Sequence, residues 1–109
     1  MAIPILHTIE SGTTVATHNF PTDAGIDYKG GKSTFAFSGA SGAFSNVSSI
    51  KIQASFDDTN WIDLTDSADN PVDFDDATIL TVDIGKCKLR FRTVVSGSPT
   101  TSDINITVS

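Results

Sequence analysis

Apolar and polar residues alternate with a period of two along much of the chain. The alternation is clearest in residues 50–56 (Ile-Lys-Ile-Gln-Ala-Ser-Phe), 87–92 (Cys-Lys-Leu-Arg-Phe-Arg) and 104–108 (Ile-Asn-Ile-Thr-Val). Successive side chains of a β-strand point to opposite faces of a sheet, so this period predicts strands with one buried face. The apolar residues of each segment, Phe56 and Cys87 among them, are predicted to face the core.

Further strands are predicted in five more segments. Residues 78–84 place Leu80, Val82 and Ile84 on one face. The other four segments are residues 4–9, 13–19, 33–37 and 61–64. The first two of these four are predicted to pair as a hairpin through the turn Glu10-Ser11-Gly12.

Turn residues separate the predicted strands. In Asp57-Asp58-Thr59-Asn60, the Asp and Asn side chains favour a turn because they bond their own backbone and tolerate positive φ. Residues 16–28 indicate a long connection or an irregular edge strand, and residues 66–76 indicate a loop. About six to eight short strands with regular turn signals predict an all-β fold, a small antiparallel β-sandwich or barrel. We expect one domain over residues 1–109, in which residues 1–9 are an N-terminal arm or an edge strand.

Composition narrows the class of protein. The 109 residues suit a single domain, and one cysteine provides neither an internal disulfide nor a zinc cluster. Seven Lys and Arg against 13 Asp and Glu give a net charge of −6, which repels nucleic-acid phosphates and anionic membranes. We expect no nucleic-acid or membrane partner, and neither a secretory signal nor a membrane-spanning run is visible.

Candidate catalytic residues are few. Cys87 alternates with apolar residues, which favours an inert core position, and His7 and His18 stand without a third ligand or a nucleophile elbow. The acidic pairs Asp57-Asp58 and Asp75-Asp76 lie in polar turns, where carboxylates stay ionised rather than forming an acid and base pair. The sequence therefore predicts no enzyme and no cofactor.

Two binding sites remain open. Residues 66–76 are dense in aspartates, a hard oxygen ligand set that suits calcium, but their spacing does not match an EF-hand, and a solvated acidic loop is the alternative. Trp61, the single tryptophan, follows the acidic turn directly. It is a candidate for stacking on a sugar ring, and the alternative is that it packs over the end of the sheet and fixes the turn.

The segment 52–64, with its Ser55-Phe56-Asp57-Asp58-Thr59-Asn60-Trp61 turn, resembles a hairpin of small β-sandwich proteins from tailed bacteriophage virions. Their turn reads Ser-x-Asp-Gly-Thr-Asn-Trp, so Asp58 stands where Gly is usual. Residues 84–98 are similar to the Gly-x-Tyr-Leu-Arg-(Phe/Val)-Arg strand that follows in that family, with Cys87 where an aromatic is common. Residues 104–108 are similar to its closing strand, so the resemblance covers about half of the chain, residues 50–108.

This resemblance implies a structural protein of the virion, made in the host cytoplasm and carried on the capsid surface. We expect a capsid decoration or cement protein, a trimer or dimer that binds the major capsid protein. The alternative is a tail or fibre module that binds host glycan. The apolar N-terminal residues are the first candidate contacts with the capsid: Ala2, Ile3, Pro4, Ile5 and Leu6. Residues 22–28 are the second.

Overall fold

A computed structural model describes residues 5–22 and 25–109 of the chain. These residues form nine strands in two antiparallel sheets and contain no helix, which confirms the all-β fold as a sandwich. The count exceeds the predicted six to eight by one, because β3, only three residues long, lies in the segment predicted to be a connection or an irregular edge strand. The strands are β1 (Ile5–Ile9), β2 (Ala16–Phe20), β3 (Ile26–Tyr28), β4 (Gly31–Gly39), β5 (Val47–Ser55), β6 (Ile62–Asp63), β7 (Thr78–Ile84), β8 (Cys87–Val95) and β9 (Ile104–Val108).

The two sheets are built around long central strands. The first sheet has the order β1-β9-β4-β7, and the second has the order β2-β8-β5-β6. Strand β3 pairs with the start of β8, and β2 pairs with its second half, so both lie along the same edge. A cis Phe20–Pro21 bond lies between these two strands. The described part of residues 16–28 therefore forms an irregular edge strand, made of β2 and β3, which is one of the two predicted alternatives.

The predicted hairpin between residues 4–9 and 13–19 is wrong. Strand β1 pairs with β9 in the first sheet, whereas β2 pairs with β8 in the second. The turn between them is held by a distant segment: the Gly12 N–H donates to the Thr100 carbonyl at 2.7 Å, and the Thr13 N–H donates to Thr100 Oγ1 at 3.0 Å. These bonds direct the chain across the sandwich instead of back along β1.

Aromatic side chains from both sheets fill the core. Phe37 of β4 packs edge-on against Phe91 of β8, with ring centroids 5.5 Å apart, and Phe35 lies 6.4 Å from the same ring. All three side chains are buried, as is Leu89. The inward face predicted for residues 87–92 is confirmed, although Cys87 at the strand start is only half-buried.

Phe56 does not face the core. Strand β5 ends at Ser55, and Phe56 is 88% exposed. The Asp57 N–H donates to Ser55 Oγ at 3.2 Å, and the Ser55 hydroxyl donates to Asp57 Oδ1 at 2.8 Å. These bonds begin the turn at Ser55 and break the period of two before Phe56.

Most connections cross from one sheet to the other. The shortest ones meet at one end of the sandwich, where Lys29 and Gly30 lead from β3 to β4, and Gly85 and Lys86 lead from β7 to β8. Gly30 has a φ of 97°, and a Cβ there would lie 2.8 Å from the backbone nitrogen of Lys86. Glycine is therefore required for both its φ and its lack of a side chain.

Candidate functional site

The N-terminal candidate residues lie at an edge of the first sheet. Ala2, Ile3 and Pro4 are outside the described residues, while Ile5 and Leu6 begin β1. Leu6 packs against the core. Within residues 5–22 and 25–109, β1 pairs only with β9, so its outer backbone edge has no partner strand. An unpaired edge of this kind is a template for pairing with a strand of another chain.

The second predicted contact segment lies beside the first. Residues 26–28 form β3, at the edge of the second sheet, and residues 23 and 24 are outside the described part of the chain. A cleft of about 470 Å³ lies between the two edges, with Leu6 on one side and Ile26 and Tyr28 on the other. The Tyr28 hydroxyl donates to the Gly31 carbonyl at 2.6 Å, which fixes the end of β3. The fold thus brings the described parts of the two segments, the start of β1 and β3, to one side of the sandwich.

The acidic turn is organised by one carboxylate. Asp57 Oδ1 accepts the backbone N–H groups of Thr59 and Asn60, each at 2.9 Å, and the Asn60 side-chain amide donates to Asp57 Oδ2 at 2.8 Å. Hydrogen bonds to the charged form hold the pKa of Asp57 well below its usual range, the largest contributions coming from Asn60 and Thr59. Asp58 has a φ of 59°, the left-handed conformation that glycine adopts most readily. The turn therefore has the backbone shape of one with glycine at this position.

Trp61 packs over the end of the second sheet, as in the second of the two alternatives that the sequence left open. The Arg90 guanidinium lies over its ring, 4.3 Å from the centroid, in a cation–π contact. The backbone of Gly25 lies against the ring edge, and the Gly25 N–H donates to Asp58 Oδ1 at 2.8 Å. One face of the half-buried indole is therefore taken up by a side chain of the protein itself.

A polar network extends from Arg90 across the outer face of the second sheet. Arg90 Nε donates to Gln53 Oε1 at 2.8 Å, and Gln53 Nε2 donates to Asp63 Oδ1 at 2.7 Å. Lys51 Nζ lies 3.4 Å from Asp63 Oδ2. The bond from Gln53, with Lys51 adding a smaller effect, lowers the pKa of Asp63. The strand alternation placed Arg90 and Lys51 on an outward face, but no sequence signal predicted that a buried amide would join them.

Two aspartates of residues 66–76 accept hydrogen bonds from groups of the protein itself. Asp66 Oδ1 accepts the backbone N–H groups of Ala68 and Asn70 at 2.9 and 3.0 Å, and Asp73 Oδ1 accepts the Ser49 hydroxyl at 2.7 Å. In residues 5–22 and 25–109, no group of three or more His, Cys, Asp or Glu side chains is placed to hold a metal ion. The loop also joins the sandwich, because Phe74 pairs with Ile50 of β5.

His7, His18 and Cys87 make separate contacts and do not form a catalytic group with one another. His7 and His18 each pack against Phe20, with ring centroids 5.7 and 5.8 Å away. Burial lowers the pKa of His7, whereas His18 Nε2 lies 2.8 Å from the carbonyl oxygen of Thr14. Burial raises the pKa of the Cys87 thiol, which disfavours the reactive thiolate. None of these contacts forms a nucleophile and base pair.

Comparison with protein-family models, with curated proteins and with solved structures gives no match to this chain. The described residues also contain no helix long and apolar enough to span a membrane. The functional argument therefore rests on the chain's own residues and on the resemblance in residues 50–108.

Proposed function

We propose that this chain is a structural protein of a tailed bacteriophage virion, a capsid decoration or cement protein that binds the major capsid protein. In this role it is not an enzyme and works as a trimer or dimer on the outer surface of the shell. A protein that binds only the assembled lattice stabilises that lattice by mass action. A symmetric oligomer strengthens the effect by presenting several copies of one binding surface.

One observation carries the proposal: the described parts of both candidate contact segments, the start of β1 and β3, lie at neighbouring sheet edges. Strand β1 leads directly from the apolar residues 2–4, and β3 lies across the cleft from Leu6. Addition of a strand to an open sheet edge is a common way to bind an extended segment of another protein. We place the contact with the capsid on this side, through Ala2, Ile3, Pro4, Ile5 and the outer edge of β1 next to Leu6.

The resemblance to virion proteins supports the same role. The left-handed φ of Asp58 is the conformation that the family's glycine permits, so the substitution at this position leaves the turn shape intact. The glycan-binding alternative has less support, because the Arg90 guanidinium covers one face of Trp61, the aromatic ring on which that alternative depends.

The first test is the copy number of this protein in purified virions of the parent phage, measured by quantitative mass spectrometry against the major capsid protein. Capsid decoration predicts a ratio near one or a simple fraction of one. A few copies per particle would indicate a tail or fibre component and overturn the decoration role. Absence from the particle would overturn the virion assignment.

A second test addresses the contact surface. Ile3→Ser should weaken binding to purified capsids that lack the protein, measured by co-sedimentation. Ile79→Ser is the matched control, because Ile79 is 76% exposed on β7, at the opposite edge of the first sheet. If the two folded variants bind equally well, the N-terminal residues are not part of the contact with the capsid.

A further inference from the structure

An apolar cleft of about 310 Å³ opens on the side of the sandwich opposite to β1. Its walls come from the end of β5 and the turn that follows it, from β6 and the residue after it, from the end of β7 and from the start of β8. Its main apolar residues are Phe56, Ile62, Leu64, Ile84 and Cys87. Phe56 is 88% exposed and Ile62 is 67% exposed. Two large apolar side chains exposed beside a concave apolar surface are typical of an interaction site.

An acidic cleft of about 380 Å³ adjoins the apolar one. The two clefts share Leu64 and Ile84, and the acidic residues that line the second are Asp63, Asp66, Asp69 and Asp83. Lys51 pairs with Asp63. Within residues 5–22 and 25–109, no basic side chain lies within ion-pair distance of the other three. The acidic cleft therefore keeps a negative charge directly beside an apolar surface.

We propose that these adjoining clefts, here called the β6–β7 groove, bind an extended segment of another protein that carries a bulky apolar side chain close to lysine or arginine. The apolar cleft removes the bulky side chain from water, and the acidic cleft attracts the cation, so that charge complementarity selects the partner and its orientation. A second copy of this chain is a poorer occupant, because its net charge of −6 opposes approach to a negative surface.

The inference does not rest on capsid decoration, and it adds a second contact surface to the molecule. Strands β1 and β7 are the two edges of the first sheet, so the groove and the N-terminal edge lie at opposite sides. A protein with contacts on two opposite sides can bridge two neighbouring molecules.

The test uses the folded protein labelled with ¹⁵N and three synthetic peptides, followed by NMR chemical shifts. The first peptide is acetyl-Ser-Phe-Ser-Lys-Ser-Lys-amide, the second has Glu in place of both Lys, and the third has Ala in place of Phe. We expect the first to shift the amide signals of Ile62, Leu64 and Ile84, and to bind several-fold more tightly than the other two. Its affinity should fall as salt is raised, because the charges at the rim are screened.

Variants locate the site. The double variant Asp69→Asn with Asp83→Asn should weaken the first peptide several-fold, and Phe56→Ser should do the same through the apolar cleft. Asp75→Asn and Ile79→Ser are matched controls outside the groove, and they should bind like the parent protein.

Three results would overturn the inference. They are no shifts with the first peptide at millimolar concentration, equal affinity for all three peptides, or unchanged binding by the groove variants. Sedimentation that shows a dimer dissociated by Phe56→Ser would also overturn it, since the occupant would then be a second copy. These measurements use the isolated protein, so their outcome is independent of its copy number in virions.

Discussion

The backbone of Gly25 lies so close to the indole of Trp61 that a Cβ on residue 25 would come within 2.7 Å of the Trp61 Cη2 atom. The same Cβ would lie 2.9 Å from Lys88 Cβ and 3.0 Å from Asp58 Oδ1. A single methyl group at this position therefore collides with the ring, with β8 and with the acidic turn. Gly25 acts as a spacer that lets the edge of the second sheet close over Trp61.

We predict that Gly25→Ala destabilises the protein by about 1–3 kcal/mol, the usual cost of overpacking a tight contact. The measurement is the free energy of unfolding by urea. Gly85→Ala is the matched control, because a Cβ at Gly85 meets nothing within 4 Å. If both variants lose the same stability, the contact with Trp61 is not the cause.

Replacement by alanine should change stability very differently at two phenylalanines. Phe91 is fully buried between the sheets, so Phe91→Ala should cost about 3–5 kcal/mol of stability through lost burial and a cavity. Phe56 is 88% exposed, so Phe56→Ala should change stability by no more than about 0.5 kcal/mol. Thermal unfolding followed by circular dichroism measures both. A large loss for Phe56→Ala would contradict its exposed position.

Asp57 should make stability depend on acid. Its pKa is lowered in the folded protein from the ordinary 3.8, so the stability it provides is complete above that value and is lost as the pH falls through its folded pKa. Asp57→Asn should lower the free energy of unfolding at neutral pH, and the gap to the parent protein should narrow below about pH 4. Asp75→Asn, at an exposed position away from this turn, is the matched control for the loss of one carboxylate. A constant gap down to pH 2 would show that the charge of Asp57 plays no part.

Gln53 should control the pKa of Asp63. Gln53→Met removes the bonds to Arg90 and Asp63, and each of these two hydrogen bonds is worth about 0.5–1.5 kcal/mol. The pKa of Asp63 should then rise, because the donor that stabilises its charged form is gone. Gln53→Glu should raise that pKa further, since a second carboxylate then lies beside Asp63. Carboxyl ¹³C shifts followed through a pH titration measure both effects, and an unchanged pKa in Gln53→Met would count against the bond.

Cys87 should react slowly with thiol reagents in the folded protein. Burial raises its pKa, so little thiolate is present at neutral pH, and the side chain is half-buried at the wall of the apolar cleft. Reaction with Ellman's reagent should speed up strongly when the protein is unfolded in urea. Equal rates in the two states would mean that the thiol is fully accessible in the folded protein.

Some of this structure follows from local sequence alone. The alternation predicted β7 and β9 with the bounds that the structure has, and it gave the buried face of β8 correctly. It also predicted the acidic turn, whose shape depends on Asp57 and on an Asp that tolerates positive φ at residue 58. These features depend on side-chain direction and on short-range hydrogen bonds, which neighbouring residues determine.

Tertiary structure decided which strands share a sheet and which surfaces come together. Turn residues mark where a strand ends, but whether the chain then pairs back or crosses the sandwich depends on distant partners, as the bonds from Gly12 and Thr13 to Thr100 show. Distant partners also determine three other features: the exposure of Phe56, the contact of Arg90 with Trp61, and the meeting of two clefts at Leu64. Each depends on packing between segments far apart in the chain, and a period of two carries no information about such contacts.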